Sequence, residues 1–276
     1  MNLTPTPLRR TLGSACALAA AALLLVGCSS GAAAKPEANA AGGTEATVPT
    51  LKAGTLSCAM SGEFRPFNYY DESAEVAGVD VDFCRAIAAE LGLEAEPVTG
   101  AFNTLVAGLQ ANRFDTVIGS MTATEERKTQ VAFTEPYYET GTALFVGEDS
   151  PITGPEDLDN AVLGVALGSV YEEQAHKLDG VAEIKTYQGD ADALRDVVAG
   201  RIDGAVTQEM MGAYLAKNAK MPVVAVGERL FPDSASIAVN QDNPELLAAV
   251  SKALATIQAN GTADAIVTEW FGEQLQ

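Results

Sequence analysis

From residue 55 onwards, short runs of apolar and β-branched residues alternate with longer segments in which apolar residues recur at helical spacing. The short runs predict strands at Thr55–Met60, Asp115–Ser120, Thr142–Val146, Ala161–Ala166, Ile184–Tyr187, Gly204–Thr207 and Ser236–Val239. The longer segments predict helices at Val79–Leu91, Phe102–Ala111, Thr124–Lys128, Val170–Leu178, Ala191–Ala199, Met210–Lys217, Pro244–Asn260 and Ala263–Trp270. This βα alternation predicts parallel sheets that are covered by helices on both faces.

The alternation occurs twice, over about residues 55–140 and again over about residues 160–220, without sequence similarity between the two sets. Two small α/β lobes therefore fit the pattern better than one large sheet. Ligands of open α/β sheets bind at the carboxyl ends of the strands, so two lobes that face each other would form a cleft. We predict an α/β fold with two parallel-sheet lobes and a ligand site between them.

The first 27 residues have the organisation of an export signal. Arg9 and Arg10 precede an apolar segment, about residues 15–26, that is shorter than the roughly 20 residues a membrane-spanning helix needs. An ordinary buried helix is the alternative. The segment ends in small residues before Cys28, which resembles the lipidation site of bacterial lipoproteins. We expect residues 1–27 to be a lipoprotein signal peptide, Cys28 to carry the lipid, and residues 28–50, which begin with Cys28 and contain mostly small and polar residues, to form a flexible tether.

The charge and the cysteines narrow the choice of partners. The formal net charge of −20 argues against nucleic acid, because phosphate binding needs basic residues. The only histidine, His176, has no cysteine near it, so we expect no metal site, and no motif indicates a cofactor.

Cys58 and Cys84 remain once the signal and Cys28 are set aside. An exported protein can join them in a disulfide, but two buried free thiols are the interpretation we favour.

The run that ends at Arg127 carries the clearest candidate chemistry. A buried strand ends in Gly119-Ser120, a turn with Thr122 follows, and Thr124 is placed to cap a short helix that carries Arg127. Free N–H groups at such a turn favour an anion, and a guanidinium can hold a carboxylate with two parallel hydrogen bonds. A surface helix with an exposed arginine explains the same residues equally well, so both interpretations stay open.

A series of short motifs runs through residues 52–273. It consists of Pro66-Phe67, Gly78-Val79-Asp80-Val81-Asp82, Leu109 to Asp115, Met121 to Arg127, Phe133-Thr134-Glu135-Pro136-Tyr137, Val165 to Ser169, Gly200 to Asp203, and Asn260-Gly261 to Gly272. In order and spacing the series resembles family 3 of the bacterial extracellular solute-binding proteins, the polar amino-acid binders, with Asn112 where the family usually has glycine. The stretches Gly168 to Glu173 and Lys185 to Tyr187 look most similar to the cystine-binding branch.

The resemblance implies a type II periplasmic-binding-protein fold. Residues 51–140 plus 235–276 would form lobe 1, and residues 141–234 would form lobe 2. The hinge would lie at two crossing segments, near Tyr138–Ala143 and Phe231–Ile237. A ligand closes such lobes only if it binds the closed state more tightly than the open one.

The resemblance also assigns roles to particular residues. Arg127 would pair with the α-carboxylate of the ligand, Thr122 would donate to it, and Ser120 would contact the ammonium side. Phe64 and Phe102 would cover the ligand from opposite faces, with packing inside the lobe as the alternative for Phe102. The implied site also contains Met121, Gly168, Ser169, Val170, Gln208 and Glu209. For Ser169, a simple helix cap is the alternative.

Gln208 departs from the pattern of the family. Members usually have an aspartate at this position that pairs with the ligand ammonium. A neutral amide can accept a hydrogen bond from an ammonium but cannot neutralise it, and an unpaired buried charge is costly. Either Glu209 or Glu172 takes this role, or the ligand lacks an α-ammonium. For Glu209, an ordinary solvated residue at a helix start is the alternative.

The function that the resemblance implies is the non-enzymatic substrate-binding component of an ABC importer. It would be a lipid-anchored, extracytoplasmic monomer, in the periplasm or on the outer face of the cytoplasmic membrane. It would capture a polar amino acid, with cystine as a candidate, and deliver it to a permease with its ATPase. Two alternatives remain at this point: an enzyme on the same fold, such as a cyclohexadienyl dehydratase that uses Glu172, Glu173 or Glu209 as an acid, and a ligand-binding sensory lipoprotein.

Overall fold

A computed structural model describes residues 48–272 of the chain. The predicted signal peptide, Cys28 and all but the last three residues of the predicted tether lie outside the described residues, so these expectations stay predictions. None of the helices within residues 48–272 combines the length and the apolar character that crossing a membrane requires.

The described residues form eleven strands and eight helices. The strands are β1 (Thr55–Met60), β2 (Glu63–Phe64), β3 (Asn68–Tyr70), β4 (Val76–Ala77), β5 (Glu94–Thr99), β6 (Thr116–Val117), β7 (Ala132–Gly147), β8 (Ala161–Ala166), β9 (Val181–Tyr187), β10 (Gly204–Gln208) and β11 (Val223–Val239). The helices are α1 (Val79–Glu90), α2 (Leu105–Gln110), α3 (Glu125–Lys128), α4 (Val170–Ala175), α5 (Asp190–Val198), α6 (Glu209–Asn218), α7 (Pro244–Ala259) and α8 (Thr262–Phe271). Phe102–Thr104 and Pro155–Asp157 form short 3-10 helices.

Eight strands form one sheet in the order β5-β1-β6-β11-β7-β10-β8-β9, and β2, β3 and β4 form a small antiparallel sheet. The three strands at each end of the large sheet pair in parallel. The two central strands, β7 and β11, pair antiparallel with each other and with their outer neighbours β10 and β6. We call β1–β6 with α1–α3, α7 and α8 lobe 1, and β8–β10 with α4–α6 lobe 2.

This architecture confirms the predicted two-lobed α/β fold, with one difference in detail. The predicted sheets of the two lobes are joined into one hydrogen-bonded sheet. The reason is that β7 and β11 are much longer than their predicted apolar cores, 142–146 and 236–239. Together they join the lobes, because β11 pairs with β6 of lobe 1, β7 pairs with β10 of lobe 2, and the two long strands pair with each other.

The two predicted hinge segments lie in the middle of β7 and β11 and pair with each other. In this ladder Tyr138 lies opposite Ala235, and Thr140 lies opposite Asp233. The register shifts between Ala235 and Ser236, where a bulge interrupts the pairing. The predicted lobe boundaries, after residues 140 and 234, fall at this place and stay a prediction.

Cys58 of β1 and Cys84 of α1 form a disulfide, with their Cα atoms 6.2 Å apart. Our favoured interpretation of two free thiols is therefore wrong. Both residues are fully buried, because α1 lays one apolar face on the sheet and turns Cys84 towards β1. The disulfide thus ties the first strand of lobe 1 to the helix that covers it.

Candidate functional site

A cleft lies between the two lobes. Lobe 1 lines it with residues from the loop after β1, from the 3-10 helix at Phe102 and from the turn after β6. Lobe 2 lines it with residues that follow β8 and β9. The walls of the cleft thus lie beyond the carboxyl ends of parallel strands, where α/β sheets place their ligand sites.

Arg127 projects into this cleft from the short helix α3. Thr124 caps that helix, as predicted, by accepting a hydrogen bond from the Arg127 backbone N–H at 3.2 Å. The Arg127 guanidinium donates from Nη1 to the Thr122 carbonyl at 2.8 Å and from Nη2 to the Gly168 carbonyl at 2.9 Å. Its Cζ atom lies 5.5 Å from the centre of the Phe102 ring. Because Gly168 belongs to lobe 2, the guanidinium reaches across the cleft, and the exposed-arginine interpretation is wrong.

Arg127 carries a charge that no neighbouring carboxylate neutralises. Within residues 48–272, no Asp or Glu oxygen lies within 4.0 Å of the Arg127 nitrogens. Burial lowers the pKa of Arg127, and electrostatic interactions with Tyr171 and Asp233 oppose this shift. A guanidinium stays protonated even so. The cleft therefore contains a cation that is equipped to bind an anion.

The turn after β6 presents Ser120 to the cleft. The backbone of Ser120 has a φ of 55°, and its N–H donates to the Tyr137 hydroxyl at 2.8 Å. Gly119 allows the turn to approach β1 closely, since a Cβ atom there would lie 3.1 Å from the Cα of Met60. The Ser120 hydroxyl donates to the buried carboxylate of Asp80 at 2.9 Å. Since its proton is used there, the hydroxyl offers the cleft its lone pairs and can accept from a donor.

Asp80 supports this turn from beneath. It is fully buried in α1 and accepts hydrogen bonds from Asn68, Tyr137 and Ser120. Burial raises the pKa of Asp80 to about 6, and the three hydrogen bonds oppose that rise. Three donors compensate for much of the cost of a buried carboxylate, so Asp80 and Tyr137 together hold Ser120 in place.

Asp190 is a cleft residue that the sequence analysis missed. It lies at the start of α5, just beyond the carboxyl end of β9, and only 5% of it is exposed. Thr207 donates to its Oδ1 atom at 2.6 Å, and no Lys or Arg within the described range pairs with it. Burial raises the pKa of Asp190 to about 6, and the hydrogen bond from Thr207 opposes the rise. Its position after a parallel strand was a usable signal, but Gly189-Asp190 resembles an ordinary helix start.

The structure brings most of the predicted site residues together. The cleft is lined by Phe64, Phe102, Ser120, Thr122, Arg127, Ser169 and Val170. Gly168 contributes its carbonyl to Arg127, and its φ of 73° and close approach to Asn103 require a glycine. The Ser169 hydroxyl donates to the Ala166 carbonyl at 2.7 Å instead of capping α4.

Besides Gly168, which meets the site through its carbonyl, three predicted site residues do not line the cleft. Met121 is fully buried in the core of lobe 1, because its side chain turns away from the turn that carries Ser120. Gln208 is 1% exposed and donates to the Tyr138 hydroxyl at 3.0 Å. Glu209 forms an ion pair with Arg229 at 2.8 Å.

Glu172, the other acid that was expected to replace the missing aspartate, is also engaged elsewhere and accepts from the Gly168 N–H at 2.9 Å. Glu173, which was considered only as a catalytic acid, pairs with Lys177 at 2.8 Å. Gln208, Glu209 and Glu172 do not line the cleft, so the expectation that Glu209 or Glu172 replaces the missing aspartate is wrong. Asp190 is the buried carboxylate on the lobe 2 wall of the cleft.

Comparison with known proteins agrees with this geometry. Residues 56–273 match the family described as bacterial extracellular solute-binding proteins, family 3. The chain belongs to this family. Its fold is thus the two-lobed periplasmic-binding-protein fold, and the cleft occupies the place between the lobes that this fold offers to a ligand.

Similar proteins bind amino acids. The chain is 30% identical to the L-cystine-binding protein TcyJ of Escherichia coli (strain K12) over 80% of this chain and 84% of that protein. It is 37% identical to an ancestral arginine-binding protein bound to glutamine, with a TM-score of 0.75, covering 80% of this chain and 100% of the other. It is 34% identical to the ancestral amino acid-binding protein AncCDT-1, a precursor of cyclohexadienyl dehydratase, with a TM-score of 0.73, covering 79% and 96%.

Proposed function

We propose that the protein is the substrate-binding component of an ABC importer and captures a polar L-amino acid in the cleft between its lobes. The observation that carries this proposal is a pair of opposite charges on facing walls. The Arg127 cation stands in lobe 1 and the Asp190 carboxylate in lobe 2, and neither has an ion-pair partner among residues 48–272. An α-amino acid carries one carboxylate and one ammonium, which match these two charges.

The proposed pose places the carboxylate on Arg127 and the ammonium near Asp190. Arg127 and the Thr122 backbone N–H bind the carboxylate, since the Thr122 hydroxyl donates to Asp233. Ser120 accepts from the ammonium, since its own proton goes to Asp80. The Phe64 ring stacks on the Phe67 ring, with the ring centres 5.1 Å apart, and this contact holds Phe64 in place as an aromatic wall of the cleft. The ligand then contacts both lobes, which is the condition for closure.

The transport role rests on the family and on its relatives. The extracellular solute-binding family and the cystine-binding and arginine-bound relatives support delivery of an amino acid to a permease with its ATPase. Cystine and arginine are therefore the first ligands to test. The lipid anchor at Cys28, an extracytoplasmic location and a monomeric state remain part of the proposal on the strength of the N-terminal sequence and the resemblance.

A binding role without turnover is the better proposal, despite the similarity to a precursor of a dehydratase. The acids suggested for catalysis, Glu172, Glu173 and Glu209, are held by a backbone N–H, Lys177 and Arg229. We therefore expect a bound amino acid to be recovered unchanged after prolonged incubation with the protein.

A calorimetric titration against a panel of small molecules tests the function. We expect polar L-amino acids, including L-cystine, L-arginine or L-glutamine, to bind and to raise the melting midpoint, because a ligand of the native state stabilises it. Dicarboxylates without an ammonium are expected to bind much more weakly, since they leave Asp190 unpaired. Preferential binding of such dicarboxylates, or binding by no amino acid, would contradict the proposal.

The affinity for the amino acid is expected to fall below about pH 6. Burial raises the pKa of Asp190 to about 6, so this group is a carboxylate above that pH and a neutral acid below it. Only the carboxylate can neutralise an ammonium, and binding should be about tenfold weaker at pH 5 than at pH 7. Titrations between pH 5 and pH 8 measure this. Asp80 titrates in the same range, so Asp190→Asn is the control: it should bind weakly, with little dependence on pH.

A further inference from the structure

Asp233 of the long strand β11 contacts one residue from each wall of the cleft. Its Oδ1 atom accepts from the Thr122 hydroxyl at 2.8 Å, and its Oδ2 atom accepts from the Tyr171 hydroxyl at 3.1 Å. Thr122 belongs to the turn after β6 in lobe 1, and Tyr171 belongs to α4 in lobe 2. Both of these residues also line the cleft. One carboxylate therefore connects the two lobes behind the ligand site.

The backbone holds this carboxylate at the hinge. Asp233 pairs with Thr140 in the ladder between β7 and β11, and the Ser234 N–H donates to Oδ1 at 2.8 Å. Only 8% of Asp233 is exposed, and Tyr171 is similarly buried. A side chain fixed in this way cannot follow both lobes when they separate. Opening about β7 and β11 must therefore break the bond to Thr122 or the bond to Tyr171.

We propose that Asp233 is a positioning residue that stabilises the closed arrangement of the lobes by holding Thr122 and Tyr171 together. This inference rests on the proposed function only in that it assumes the lobes can open. It does not depend on which amino acid binds. Hydrogen bonds to a charged group contribute more than neutral ones, so loss of this pair should shift the ratio of closed to open molecules roughly tenfold.

The test measures the distance between the lobes without any ligand. Spin-labelled unnatural amino acids are placed at Lys252 on α7 and at Ala182 on β9, both of which are exposed. Pulsed dipolar spectroscopy of the full chain then gives the distribution of interlobe distances. We expect the wild type to populate the short distance, and Asp233→Ala to move the population towards longer distances by the tenfold ratio.

Further variants separate positioning from a general loss of stability. Tyr171→Phe removes one of the two bonds and should give a smaller shift in the same direction. Adding it to Asp233→Ala should produce little further change, because the two residues act through one contact. Asp233→Asn keeps an acceptor and is expected to restore part of the short-distance population. The melting midpoint of each variant is also measured, because a variant that only destabilises the fold lowers this midpoint without changing the interlobe distances.

Glu139 provides the matched control. It is a second carboxylate at the same hinge cavity, opposite Ser234 in the ladder, and within residues 48–272 its side chain makes no hydrogen bond to a cleft residue. Glu139→Gln should leave the distances as in the wild type. The proposal is overturned if the distances in Asp233→Ala and Tyr171→Phe equal those of the wild type, or if Glu139→Gln shifts them equally. Failure of every panel ligand to bind would instead count against the proposed function alone.

Discussion

Replacing Arg127 with alanine is expected to abolish measurable amino-acid binding while the melting midpoint stays nearly unchanged. The substitution removes the cleft cation and leaves the ligand carboxylate desolvated without a partner. Such a loss costs about 2–5 kcal/mol, or roughly 30-fold to 5,000-fold in affinity. The fold should tolerate the change, since the side chain makes two hydrogen bonds to carbonyls and no ion pair among the described residues. Calorimetric titration and a melting curve measure the two quantities.

Lys128 offers a matched control for this substitution. It is the next residue along α3 and pairs with Glu125 on the surface at 2.8 Å. Lys128→Ala removes one positive charge from the same helix without touching the cleft, so affinity should change less than about threefold. Arg127→Lys should recover only part of the affinity, because an ammonium cannot bind a carboxylate with two parallel bonds. Undiminished binding by Arg127→Ala would refute the role of this residue.

Loss of the Cys58–Cys84 disulfide is expected to lower the free energy of unfolding by about 3.5 kcal/mol. The estimate follows from the entropy of closing a loop between residues 26 apart in the unfolded chain. For a domain of this size the melting midpoint should fall by about 10 °C. Urea unfolding of the double variant Cys58→Ala/Cys84→Ala measures the change.

Reductant distinguishes the disulfide from a packing effect. Dithiothreitol should lower the urea midpoint of the wild type, because unfolding exposes the bond to reduction. The double variant lacks the bond and should be insensitive to the reagent. A wild-type midpoint that is the same with and without reductant would show that the cysteines are not paired.

Regular elements with strong apolar signals were predicted closely. Strand β8 was predicted residue for residue, because its apolar run begins directly after Asn160 and ends shortly before Gly168-Ser169. Strand β5 was missed, because two glutamates and Pro97 give it a low strand propensity. It forms as an edge strand, where a proline is tolerated, and its pairing with β1 stabilises it. The lengths of β7 and β11 were also missed. Pro136 and Pro232 interrupt their patterns, and only the pairing of the two strands with each other extends them.

The candidate site was predictable where the charged side chain and the backbone turn that positions it lie close together in the sequence. The strand, turn and cap around Arg127 are consecutive in the sequence, so their joint position could be read from it. Asp190 could not be found in this way, because its importance depends on which strand ends face the other lobe. Gln208 lies at another strand end, but its side chain turns to Tyr138 inside the protein. Nor does the spacing of Cys58 and Cys84 reveal that their Cα atoms lie 6.2 Å apart.

The crystal structure of the complex with the tightest-binding amino acid of the panel tests the central claim most directly. We expect the ligand between the lobes, with its α-carboxylate about 3 Å from the Arg127 guanidinium and its ammonium at hydrogen-bonding distance from Asp190. A ligand bound outside the cleft, or inside it with its carboxylate away from Arg127, would contradict the claim.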